Sequence, residues 1–130
     1  MPPRSTDSVD PARRPEVIVD FASSDGMLFV ILKNIGMRSA YRVTTRFDKP
    51  IRGLEGRKRI SEMRLFGRLE FLPPGKEFSQ FIDPVAVYLK RREPTRFAIT
   101  VTYADREGHR FKEVIRHDLR VFSDLGYIRK

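Results

Sequence analysis

The feature that most restricts the fold of this chain is a two-residue alternation of apolar and other side chains, repeated in short runs and cut by turn residues. Phe97, Ile99, Val101 and Tyr103 alternate with Ala98, Thr100 and Thr102. Successive strand residues point to opposite faces, so such a run lays one row on a core. Between Ala40 and Asp48, Tyr41, Val43, Thr45 and Phe47 are expected to face one way and Ala40, Arg42, Thr44 and Arg46 the other. One face is then core and one wet, as in an antiparallel sheet. Val17, Val19 and Phe21 alternate with Ile18 and Asp20, and Lys76 to Ile82 alternates again. Met27 to Lys33 reads as a buried strand, since its continuous apolar run is short and rich in β-branched and aromatic residues. His109 to Val121 reads as a returning strand whose parity shifts near Glu113 and Val114, which predicts a bulge.

Turn chemistry separates these runs. Asp25-Gly26 between two apolar stretches is a hairpin signal. Asn34 to Gly36, Lys49-Pro50, Pro73-Pro74-Gly75 and Ala104 to Gly108 end or reverse the others. Asp83 and Pro84 are placed to cap and open a helical turn over Val85 to Leu89. Ile60 to Phe66 fits either a strand or a helical turn. About seven strands, with turn signals at intervals of roughly 8 to 12 residues, predict an all-β, immunoglobulin-like Greek-key β-sandwich. Its expected core is Val17, Val19, Phe29, Ile31, Val43, Phe47, Phe97, Ile99, Val101 and Leu119.

The 130 residues suit one domain. Residues 1–15 read as a flexible leader, 16–122 as the sandwich and 123–130 as a C-terminal tail. The leader is rich in Pro, Ser, Asp and Arg and has too little apolar surface to offset its ordering entropy. There is no Cys, so disulfides, thiolate metal sites and Cys nucleophiles are excluded. The longest apolar run, Met27 to Leu32, falls far short of the roughly 20 residues of a spanning helix. A cytoplasmic location is favoured, with membrane-proximal or exported locations open.

Three stretches resemble a known pattern. Leu32-Lys33-Asn34-Ile35-Gly36, followed by Ser39-Ala40 and the strand to Phe47-Asp48, resembles the turn that closes the second strand of bacterial immunoglobulin-like domains. Phe71-Leu72-Pro73-Pro74-Gly75-Lys76-Glu77 is similar to the turn before a later strand of the same domains. The hairpin from Thr95 through Gly108 to Leu119 is similar to their last one. The family is the CARDB-like group, named for cell-adhesion-related domains in bacteria. The resemblance implies a sandwich over roughly Glu16 to Val121. It implies no particular function, since it rests on turn chemistry and one fold hosts many functions.

Catalytic equipment is not apparent. His109 and His117 lack further ligands converging on them in sequence, and Ser61 and Ser79 stand in no nucleophile motif. Gly53 and Gly56 do not have phosphate-loop spacing. The chain is therefore expected to be no enzyme, to use no cofactor or metal, and to take no small-molecule substrate. The functional lead is charge, +9 overall. It concentrates in Arg52, Arg57, Lys58, Arg59 and Arg64, and again in Lys90, Arg91 and Arg92. Such clusters could meet a protein partner or grip phosphates. The expected function is a non-catalytic binding or scaffold module that engages a protein through a sheet edge or end loop, with homodimerisation through an edge strand open. The alternatives are a nucleic-acid-binding accessory protein using basic loops, a contact with an anionic membrane surface, and a non-catalytic subunit of an enzyme.

Overall fold

Asp25 and Gly26 set the first sheet. Both take positive φ, 51° and 78°, as a two-residue hairpin that matches strand twist demands. In the computed structural model, which describes residues 13–125, this turn joins β1 (Val17–Ser24) to β2 (Met27–Asn34). β3 (Ala40–Phe47) then leaves for a second sheet. A small hairpin, β4 (Arg52–Gly53) and β5 (Lys58–Arg59), leads through a 3-10 turn at Ile60–Glu62 to α1 (Arg64–Gly67). β6 (Leu69–Leu72) pairs with β3, and β7 (Glu77–Pro84) returns to pair with β2. After α2 (Val85–Lys90), β8 (Arg96–Ala104) and β9 (Arg110–Asp118) complete the second sheet, and a 3-10 turn follows at Leu119–Ser123. The sheet orders are β1-β2-β7 and β6-β3-β8-β9, antiparallel throughout.

The protein is mostly β, with one core shared by the two sheets. Val17, Val19, Leu28, Val30 and Leu32 from one sheet meet Val43, Phe97, Ile99 and Val101 from the other. Ile51, Ile60, Phe66 and Tyr88 from the connecting segments fill the ends. Each fully buried side chain of this kind contributes about 1.5–3 kcal/mol.

Three expectations are corrected. In β2 the inward residues are Leu28, Val30 and Leu32, while Phe29 and Ile31 face outward and are half-buried. An unbroken apolar run carries no parity of its own. Pairing decides it, by setting Leu32 opposite Val19 and Val30 opposite Phe21. Likewise β8 and β9 run in unbroken register from Arg96↔Asp118 to Ala104↔Arg110. Glu113 breaks the apolar pattern because it faces inward at an open sheet edge, opposite Val101, and no bulge is needed. The bulge lies in β3, between Tyr41 and Thr44, where Arg42 takes a φ of 51°. It turns Tyr41 away from the row of Val43 and Thr45. Thirdly, Asp83 does not cap α2, whose first turn follows Pro84 with no side-chain cap. Phe47 is only partly buried, edge-on to Phe66 with ring centroids 5.0 Å apart.

The Asn34-Ile35-Gly36 turn has a structural task. Buried Asn34 accepts from the Glu16 and Gly36 amides and donates to the Arg38 and Leu72 carbonyls, at 2.7–3.2 Å. It thereby ties the start of β1 to the turn after β6. A Cβ on Gly36 would lie 2.4 Å from the Glu16 nitrogen, so only glycine allows this approach. Arg14 and Pro15 belong to the same packed region, with the Met37 amide donating to the Arg14 carbonyl at 3.2 Å and Pro15 buried. The remainder of the leader, 1–12, and of the tail, 126–130, lies outside the described residues.

Candidate functional site

The two basic clusters of the sequence meet at one end of the molecule. Arg91, just past α2, donates to the Arg52 carbonyl of β4 at 2.8 Å. Its guanidinium also pairs with Asp83 at 2.5 Å and Glu93 at 2.8 Å, and lies 5.4 Å from the Tyr88 ring. The Asp83 side chain is 1% exposed, and its other oxygen accepts from the Glu55 amide at 2.9 Å. Here Gly53 passes so near β7 that a Cβ would sit 2.6 Å from the Ile82 carbonyl oxygen. Leu54 and Glu55 take positive φ, 52° and 59°, a strain of roughly 1 kcal/mol or more each. Asp83 and the Ile82 carbonyl hold that strained turn. Arg91 is thus a half-buried structural clamp. Burial, with Glu93 beside it, pushes the Tyr88 hydroxyl well above the usual tyrosine range, and it donates to the Pro94 carbonyl at 2.6 Å.

The other predicted residues surround this clamp or lie near it in sequence. Arg59 pairs with Glu62 at 3.6 Å, and Arg57 bonds its own turn through the Leu54 carbonyl. Arg52, Arg64, Lys90 and Arg92 are exposed, and Lys58 is half-buried. Glu55, Glu62 and Glu93 are interspersed among them. This end is one region, but it is of mixed sign and rests on turns.

A second basic surface is built on strands. In β8 the inward row is Phe97, Ile99, Val101 and Tyr103, so Ala98, Thr100, Thr102 and Ala104 face out. The register places Arg110, Lys112, Val114 and Arg116 of β9 beside them. On the other side stand Tyr41, Thr44 and Arg46 of β3. The outer face therefore reads in rows. Arg110, Ala104, Tyr41 and Phe71 form the first; Lys112, Thr102 and Thr44 the second; Val114, Thr100 and Arg46 the third. Arg42, thrown out by the bulge, and Arg68 line the same open depression as Thr44, Thr102, Arg110 and Lys112. Among the described residues, Arg42, Arg46, Arg110, Lys112 and Arg116 pair with no carboxylate. Glu70 is matched by Arg68 at 2.8 Å, and Asp118 stands at the far end beside Arg96 at 3.4 Å. The Arg120 amide, aided by Arg96, holds the Asp118 carboxyl below its ordinary range.

Two aromatic rings lie at one end of this face. Phe71 is 48% exposed, and its ring centroid is 5.4 Å from that of half-buried Tyr41. The sequence offers Phe71, like Phe66 and Tyr88, as an aromatic close to basic residues that could stack on a base, but it shows neither the pairing with Tyr41 nor the face itself. A signal existed, since Arg42 and Arg46 share the polar phase of one strand and Arg110, Lys112 and Arg116 that of another.

The histidines serve the scaffold. Asp105 accepts from the His109 amide at 2.8 Å through one oxygen and meets His109 Nδ1 at 2.7 Å through the other, closing the β8–β9 hairpin. Glu107 adds a third ligand-type atom within 4.8 Å, but both Asp105 oxygens are already engaged in the hairpin. His117 Nε2 lies 2.8 Å from the Val19 carbonyl and so ties β9 to β1. Burial, then Glu16, raises the Glu113 carboxyl above its ordinary range. No described helix is long and apolar enough to cross a membrane.

The model of a family described as a domain of unknown function, DUF8453, matches residues 5–123. No curated protein matches the chain. A solved structure from Bordetella pertussis, provisionally described as the ApaA protein, is 16% identical, with 81% of this chain and 92% of that chain covered and a TM-score of 0.42. That distance leaves function to be argued from the chain's own residues.

Proposed function

The chain belongs to the DUF8453 family, and from that premise we propose that it is a non-catalytic binding module that holds a phosphate-bearing polyanion on the outer face of its four-stranded sheet. The observation that carries this reading is the set of cations on strands, Arg42, Arg46, Arg110, Lys112 and Arg116, that pair with no carboxylate among the described residues. Like charges gathered on one face create a positive potential, with no carboxylate partner among the described residues. Arg forks suit phosphate oxygens, and Thr44, Thr100 and Thr102 supply hydroxyl donors between them. The basic end loops play a lesser part, because Arg91 and Arg59 already face carboxylates.

We read the fold as immunoglobulin-like. The chain crosses from one sheet to the other after β2, back before β7 and over again before β8, which supports a Greek key. A protein partner is the second reading. It is favoured by the outer face of the other sheet, where Phe29 and Phe81 lie edge to face at 5.7 Å and Met27 is 39% exposed.

The test is competition by long-chain polyphosphate for a fluorescent polyanion, using the wild type and Arg46→Glu/Lys112→Glu/Arg116→Glu. The reading predicts micromolar binding at low salt that the triple variant loses. Equal binding by both proteins would sink it.

A further inference from the structure

We propose that the polyanion is a single-stranded nucleic acid, with a base received at the Tyr41–Phe71 pair and the backbone led over the rows of Arg and Lys. This rests on the polyanion reading of the same face. Phosphate alone gives no reason for an aromatic pair there. Phe71 is 48% exposed in a surface whose other members are Thr, Ala, Arg, Lys and one equally exposed Val, Val114, two rows away, and it abuts Tyr41 at 5.4 Å. A large apolar side chain left in water beside cations has a physical use when a flat, unstacked base covers it. Bases in a duplex are stacked on one another and cannot do so. Single strands offer both an open ring and a flexible backbone.

The layout fits the length of a short strand. Outward residues recur at about 6.7 Å along each strand, the scale of one nucleotide step in an extended chain. From the Tyr41 row, the Thr44–Thr102–Lys112 and Arg46–Thr100–Val114 rows follow in order, with Arg116 beside Ala98 beyond them. A base on Phe71 would therefore be followed by sugar and phosphate over a cation and at least one hydroxyl in each of the next two rows, and then over Arg116. Arg42, which follows Tyr41 in β3, lines the depression with Thr44, Thr102, Arg110 and Lys112 and would meet the first phosphate.

The experiment measures anisotropy of labelled mixed-sequence single strands, DNA and RNA, and of the matching duplex, with polyphosphate as competitor. Phe71→Ala is expected to weaken single-strand binding about tenfold and to leave competition by polyphosphate unchanged, because stacking and phosphate contact are separate interactions. Phe71→Trp should restore it. Tyr41→Ala is a second check, read only if its melting curve matches the wild type. The proposal is overturned if Phe71→Ala binds single strands as the wild type does, or if the duplex binds as tightly as the single strand. In either case retained polyphosphate binding leaves the broader reading standing. Loss of that reading shows differently, as full binding of every polyanion by Arg46→Glu/Lys112→Glu/Arg116→Glu.

Discussion

The two basic regions of this molecule use charge in opposite ways. At the end formed by β4, β5 and α2, cations lie next to one another in sequence, as in Arg57-Lys58-Arg59 and Lys90-Arg91-Arg92. There Arg91 is turned inward onto buried Asp83, and Arg59 faces Glu62. On the open sheet the cations are two or four residues apart along their strands, as in Arg110, Lys112 and Arg116, and none of these pairs with a carboxylate among the described residues. Of the cations dense in sequence on these turns, Arg57, Arg59 and Arg91 find a carboxylate or carbonyl within reach, while Arg52, Lys58, Arg64, Lys90 and Arg92 pair with no carboxylate among the described residues. Cations spaced by two or four on a strand are held apart from carboxylates and left to a partner.

The strongest way to break this contrast is Asp83→Ala. Removing Asp83 takes from Arg91 its buried partner, leaving it Glu93 alone, and frees the strained Leu54–Glu55 turn, so urea denaturation should register a loss of about 3 kcal/mol. A loss below about 1 kcal/mol would make Arg91 an available cation and erase the difference between the regions. Next in size is the triple glutamate variant of the face. Its polyanion affinity should fall by about tenfold or more, while its stability moves by no more than about 0.5 kcal/mol. Stability loss of several kcal/mol would mean those side chains are structural after all. Smaller still is Arg57→Ala/Lys58→Ala/Arg59→Ala, for which titration should find less than about a threefold loss, since exposed charges beside carboxylates add little.

The smallest effect concerns Glu113, on the inward side of β9. Its folded carboxyl is raised, first by burial and then by Glu16. A raised carboxyl favours the protonated fold, so the Glu113 contribution to stability is fully present below the ordinary carboxylate range and is lost as pH climbs through the raised value. Glu113→Gln should flatten this segment of the melting temperature against pH and leave polyanion affinity unchanged. A variant with the same pH curve as the wild type would show that Glu113 ionises without penalty.

Much of the strand layout was legible, because period two and Asp25-Gly26 are local signals. The helical turn at Val85–Lys90 was legible too. The parity of Met27–Asn34 was not, since Leu28 and Phe29 are equally apolar and only pairing with Val19 and Phe21 separates them. The bulge at Arg42 was hidden for a similar reason, being defined by two strands at once. The open face escaped because its members come from β3, β6, β8 and β9, far apart in sequence. Adjacent basic residues caught the eye, and register was what gathered the rest.

The most direct measurement is the slope of log affinity against log salt for one labelled single strand, with wild type, face variant and loop variant side by side. Each phosphate contact removed lowers the slope by about one. The account predicts that the face variant loses about two to three units of slope while the loop variant keeps the wild-type value. The reverse, a flat loop variant and an unchanged face variant, would contradict it and return the ligand to the end loops.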